Sequence, residues 1–79
     1  MSQKVTLLPA PENLPRWTSW WEHAKTGHIV RVIICSRDET SPNAWLVCYQ
    51  EQATLEYWTR NLPVFLERFA RLAPERVPS

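Results

Sequence analysis

Ile29-Val30-Arg31-Val32-Ile33-Ile34-Cys35 is the stretch that decides the fold. Five of its seven residues are β-branched, and such side chains sit well on a pleated sheet. The run is too short for a membrane span, and a single arginine interrupts it. Its near-continuous apolarity predicts a central strand, residues 28–35, covered on both faces. Downstream, residues 36–43 are polar, contain Pro42 and read as a loop. Trp45-Leu46-Val47-Cys48-Tyr49 then restores a strand over residues 44–50. Residues 51–54 read as a second turn. Leu55, Tyr57 and Thr59 alternate with Glu56, Trp58 and Arg60, the period of a half-buried strand over residues 55–60.

Upstream the reading divides. Trp17, Trp20, Trp21 and Ala24 fall at i, i+3, i+4 and i+7, one stripe of a helix. The rival is a turn followed by a strand over residues 20–25, closed by a Thr26-Gly27 hairpin turn. The strand is the reading adopted. If the 36–43 loop is centred between Ser41 and Pro42, Cys35 and Cys48 fall near each other across two strands, within disulfide reach. The alternative is two reduced thiols packed as small apolar groups, which suits a cytoplasmic setting.

After Arg60 the pattern changes. Asn61-Leu62-Pro63 marks a helix start, because Pro63 suits a first turn. Phe65, Phe69 and Leu72 follow at i, i+4 and i+7, Glu67 and Arg71 form an i, i+4 pair, and Pro74 ends the run. A short C-terminal helix closing one end of the sheet is expected. At the other terminus Pro9, Pro11 and Pro15 make an extended arm, with residues 5–8 as an edge strand or surface strap. The organisation expected is an arm over 1–16, one domain over 17–73 and a tail over 74–79.

Five tryptophans in 79 residues are hard to hide in so small a core. A chain of this length buries only roughly 60–65% of its unfolded surface. Some indoles should therefore line a groove or a subunit contact, and a thin core favours self-association as a homodimer or higher oligomer. The formal net charge of +1 gives no global pull toward nucleic acid or acidic lipid. The basic residues are seven arginines against two lysines, so a local anion site remains open. No apolar run reaches membrane-spanning length, and Val5-Thr6-Leu7-Leu8 is too short for a secretory signal, so a cytoplasmic protein is expected.

Catalytic motifs are absent. A single glycine, Gly27, excludes glycine-rich phosphate loops and a serine-hydrolase elbow. His23, His28, Cys35 and Cys48 have no zinc-site spacing, although the two histidines flank a hairpin turn. No metal and no cofactor is expected, and no enzyme. Glu22, His23 and Glu56 are the titratable groups near the aromatics, and a solvated face is their ordinary fate. Trp58 and Arg60 share a strand face, a pairing that suits a small anionic ligand stacked on an indole. Core packing of Trp58 and an ion pair between Arg60 and Glu56 are the plain alternatives.

Three motifs carry a resemblance. Trp21-Glu22-His23-Ala24-Lys25-Thr26-Gly27, then Leu46-Val47-Cys48-Tyr49-Gln50, then Trp58-Thr59-Arg60-Asn61-Leu62 with Phe65, resemble an uncharacterised family of small bacterial and phage proteins. That family reads aromatic-x-His-x-Lys-x-Gly, Leu-Val-Val-Tyr-Arg, Trp-x-Arg-Pro-Leu and Met-Phe. The resemblance spans residues 21–69 and implies a small, strongly bent SH3-like β-barrel. Gln50, Asn61 and Val64 depart from it, standing where arginine, proline and methionine are usual. The phage setting implies an accessory role such as interference with a host defence system. No biochemical role comes with the family.

The expected fold is thus mainly β: an SH3-like antiparallel barrel or bent sheet of about four strands with a short C-terminal helix. The expected function is non-catalytic binding through Trp21, His23, Lys25, Tyr49, Trp58 and Arg60. A protein partner on the indole-rich patch is the first mechanism. Oligomeric capture of a small nucleotide-like anion by stacked tryptophan and arginine is the second. Single-stranded nucleic acid is disfavoured by charge.

Overall fold

Residues 29–37 form the long strand that the β-branched run demands. The computed structural model describes residues 6–78. In chain order the elements are β1 (Trp20–His23), β2 (Ile29–Arg37), β3 (Trp45–Glu51), β4 (Tyr57–Asn61), α1 (Leu62–Arg68) and β5 (Phe69–Arg71), followed by a 3-10 turn (Pro74–Arg76). The strands make one open antiparallel sheet in the order β4-β3-β2-β1-β5. The fold is therefore mainly β with one short helix, and a fifth strand joins the four expected ones. None of the described helices is long and apolar enough to cross a membrane.

Residues 20–23 are strand and not helix, so the tryptophans there alternate across a sheet. Trp21 is buried while Trp20 is half-buried. The strand stops at His23, because residues 24–27 turn; Lys25 lies in that turn, beyond the expected strand. Gly27 takes φ +74° there, a region that L side chains resist.

β2 is covered on one face, against the two-sided burial its composition predicts. Val30, Val32 and Cys35 are buried, while Arg31, Ile34 and Ser36 are exposed. A bulge between Val32 and Ile34 shifts the register against β3. That extra residue moves the inward positions from even to odd numbers, which is why the sequence shows no clean alternation.

The two cysteines do not face each other. The pairing is Ile34 with Cys48 and Cys35 with Val47, and both thiols are free. Asp38 N–H donates to Ala44 O at 3.0 Å, which centres the loop on Ser41. A one-residue offset puts the two side chains on opposite faces.

β4 begins at Tyr57, not Leu55, and none of its residues is buried. It is an edge strand. The 62–72 segment departs furthest from expectation. The helix ends at Arg68, and Phe69–Arg71 crosses to the far edge to pair with β1. The Glu67–Arg71 helical pair consequently does not exist. Phe65, Phe69 and Leu72 are nonetheless buried, as the apolar spacing requires.

The core lies on the inner face of the bent sheet. Phe65 of α1 packs edge-on to Trp21 at 5.2 Å and stacks on Phe69 at 4.6 Å, with Tyr49 at 5.5 Å. No polar or charged residue is buried among the described residues. The arm runs as coil. Asn43 accepts from Leu8 N–H at 2.8 Å and donates to Thr6 O at 2.9 Å, strapping residues 6–8 to the β2–β3 loop. Val5, the first residue of the expected edge segment, lies outside the described residues.

Candidate ligand-binding cleft

Directly paired residues on neighbouring antiparallel strands share a face. Tyr49 pairs with Trp58 and Val47 with Arg60. Tyr49 and Val47 are core residues, so Trp58 and Arg60 also project from the inner face. β4 is the sheet edge, however, and the core does not close over it. Trp58 is 50% exposed, so it is not a core indole. Among the described residues Arg60 makes no ion pair; the bridges present are His28–Glu51 and Arg76–Glu22. Glu56 precedes β4 and leaves Arg60 free.

An antiparallel meander sends its first and third turns to the same end of the sheet. Gln52 N–H donates to Ile29 O at 3.0 Å, joining the two turns. His23, His28 and Glu51 therefore gather at the end where Trp58 and Arg60 are open. Together with Tyr49, Phe69, Val30 and Thr26 they enclose a cleft of about 260 Å³.

The walls have distinct chemistry. Tyr49 and Phe69 make an aromatic floor, ring centroids 5.2 Å apart. His23 stands edge-on to Phe69 at 5.1 Å. Its Nδ1 accepts the N–H groups of Lys25 at 3.2 Å and Thr26 at 3.3 Å. Neutral His23 therefore carries its proton on Nε2, as a donor. His28 Nδ1 lies 3.8 Å from Glu51 Oε1. Arg60 offers a planar fork of donors, Glu51 an acceptor and Trp58 a stacking face.

Four of the six residues singled out in the sequence thus converge: His23, Tyr49, Trp58 and Arg60. The other two stand elsewhere. Trp21 is 7% exposed in the core, its indole N–H donating to Ser19 Oγ at 2.8 Å. Lys25 opens onto a separate hollow with Glu67 and Arg68. Comparison with protein-family models, curated proteins and solved structures finds no match to this chain. The motif resemblance over residues 21–69 rests on those residues alone.

Sequence reasoning gives His28 no binding role and leaves Glu51 in a turn. The available signal was the pair of hairpin turns, which topology places together.

A second, larger hollow of about 560 Å³ lies between the arm and the start of α1. Leu8, Pro9, Pro11, Trp45, Leu62 and Val64 make it apolar, with only Asn43 and Asn61 to orient a polar ligand. Cys35 is buried elsewhere, where its thiol donates to Pro15 O at 3.5 Å. Burial pushes its thiol pKa up, with the Cys48 thiol adding to the shift.

Proposed function

We propose that the chain is a non-catalytic binding module whose cleft holds a planar small molecule carrying an anionic group. The ring lies against Trp58 and the anion meets Arg60. His23 and His28 supply further donors, and Glu51 accepts from a ring N–H. One observation carries this reading: Trp58 and Arg60 extend the core-facing side of the sheet past the edge of the core, where the indole is half exposed and the guanidinium makes no ion pair among the described residues. Nucleoside phosphates combine the ring, the donor and the anion that this cleft suits. The net charge of +1 supports a single small anion over a long polyanion.

Titration calorimetry against a panel of nucleoside mono- and diphosphates tests the reading. Arg60→Ala should weaken binding about 10- to 100-fold, the worth of one charge-assisted hydrogen bond. Trp58→Ala should weaken it comparably and abolish the quenching of tryptophan fluorescence expected when a ring stacks on Trp58. Lys25→Ala, outside the cleft, should leave affinity unchanged. Binding of no panel member, or affinity unmoved by Arg60→Ala, would sink the proposal. Affinity for oligonucleotides that falls steeply with salt would point to nucleic acid instead.

A further inference from the structure

Independently of any ligand, the geometry points to a homodimer formed by antiparallel pairing of β4 with β4 of a second copy, its two-fold axis at Trp58. The hydrogen-bond phase of the edge sets this register. Glu51 N–H donates to Glu56 O at 2.9 Å, and the Gln50–Tyr57 and Tyr49–Trp58 pairings continue the same ladder. The peptide groups of Glu56, Trp58 and Arg60 are therefore turned toward β3. Those of Tyr57 and Thr59 are turned away from the sheet.

This edge carries little to discourage pairing. Natural sheets guard their edges with charged side chains, proline, bulges or very short strands, and the one charge within β4, Arg60, has Glu56 of a second copy to meet it. β4 has no lysine, no proline and an unbroken register. The opposite edge, β5, has three residues and ends in Arg71. Around β4 the large apolar side chains are open: Leu55, Tyr57 and Trp58 are 65%, 63% and 50% exposed.

A second copy is the occupant because the segment is complementary to itself. A two-fold axis at Trp58 pairs Tyr57 of each copy with Thr59 of the other, using every outward peptide group of those residues. It sets the two Trp58 side chains against each other as a non-hydrogen-bonded pair, the type with the closest side chains. It also sets Arg60 opposite Glu56 of the second copy. That sets a carboxylate beside Arg60, which makes no ion pair among the described residues, and leaves the other donors of its fork to the cleft. Glu56, Trp58 and Arg60 lie on the inner face, so the second indole walls the open mouth of the cleft.

Sedimentation velocity on ligand-free protein over a concentration series tests this, with circular dichroism to verify folding. The wild type should show a concentration-dependent dimer. Thr59→Pro should be monomeric but folded, because the proline replaces an outward N–H on an edge strand. Glu56→Arg should weaken the dimer by about tenfold or more, since it sets like charges opposite each other twice. The exchange Glu56→Arg with Arg60→Glu should recover it. A monomer at every concentration overturns the inference. So does a dimer that survives Thr59→Pro, or one that the charge exchange fails to recover. Ligand plays no part in this assay, so its failure leaves the cleft proposal to its own test.

Discussion

Leu55 and Gly27 occupy the same place in two hairpins, and only one of them suits it. Gly27 N–H donates to His23 O and Leu55 N–H to Glu51 O, each at 2.8 Å. Thr26 and Thr54 hydroxyls each accept from the residue two positions on, at 3.3 Å. The φ values are +74° for Gly27 and +63° for Leu55. A left-handed conformation costs a non-glycine residue roughly 1–2 kcal/mol, partly offset by the greater unfolded entropy of glycine. Leu55 is 65% exposed, so little packing is lost on its removal. Leu55→Gly should therefore raise stability by about 0.5–1 kcal/mol in urea titrations, and Gly27→Ala should lower it by a similar amount. Stability unchanged or lowered in Leu55→Gly would mean that the side chain makes a contact worth as much as the strain. Cys35 gives a second residue-level expectation. Its folded pKa is raised above the ordinary 9.0 by burial. The neutral thiol is thus favoured by folding, and this contribution is intact below pH 9.0 and lost as pH rises toward the folded pKa. Wild-type stability should fall above that pH more steeply than that of Cys35→Ala, and at pH 8 an alkylating agent should modify Cys48 before Cys35. Equal slopes and equal rates would contradict the sealed thiol. At this scale the site was partly legible. Strand alternation alone placed Trp58 and Arg60 on one face. What it omitted was Glu51, which the sequence reading put in a turn but which ends β3 opposite Val30, a neighbour that only the topology supplies.

The segment after β4 shows how element type separates from burial. The apolar spacing of Phe65, Phe69 and Leu72 fits one helical face, and all three are buried, yet two elements deliver them. The helix has seven residues, too few to persist alone. Its backbone is redirected at Phe69, whose φ of −118° is extended while its N–H still donates to Phe65 O. β1 offers an unpaired edge there, and Glu22 pairs with Ala70. Tertiary pairing thereby overrides a helical period that the sequence supports equally well. The strand pattern was legible because β-branched runs have no competing solution; the helix-to-strand switch was not, because i, i+4 spacing also suits a turn that ends in a strand. Asn61 has a clear role in this region. Its side chain accepts from Val64 N–H at 3.2 Å, capping α1. Asn61→Ala should cost about 1 kcal/mol. Phe65→Ala should cost about 3–5 kcal/mol, since this fully buried ring touches Trp21, Tyr49 and Phe69. Thermal and urea unfolding of both variants checks the ranking. A larger loss at Asn61 than at Phe65 would place the organising contact at the start of α1 and not at its buried ring.

Across the whole molecule, the arm and the cleft are at opposite ends of the sheet, and the arm is held by few contacts. Arg37 donates to Leu8 O at 2.6 Å and to Pro42 O at 2.9 Å, with its guanidinium 4.8 Å from the centre of the Trp45 ring. Asn43 adds the two bonds to Leu8 and Thr6, using its amide as a strand would use its backbone. Nearer the core, Pro15 is buried and its carbonyl accepts from the Cys35 thiol at 3.5 Å. The arm therefore has a firmly seated inner part and an outer part that depends on one asparagine and one arginine. Asn43→Ala should release the outer part alone. Exposed hydrogen bonds are worth about 0.5–1.5 kcal/mol each, so losing the two should move the global unfolding free energy by no more than about 3 kcal/mol. Local opening free energies are read by amide exchange, and these should change much more. The Leu8 amide should lose its protection in Asn43→Ala while the amide of Val32, bonded to Ser19 O at 2.9 Å in the sheet, keeps its own. Loss of protection at both positions together would mean that arm and sheet open as one unit. In that case the strap is part of the core, and the apolar hollow beneath it is closed by folding itself.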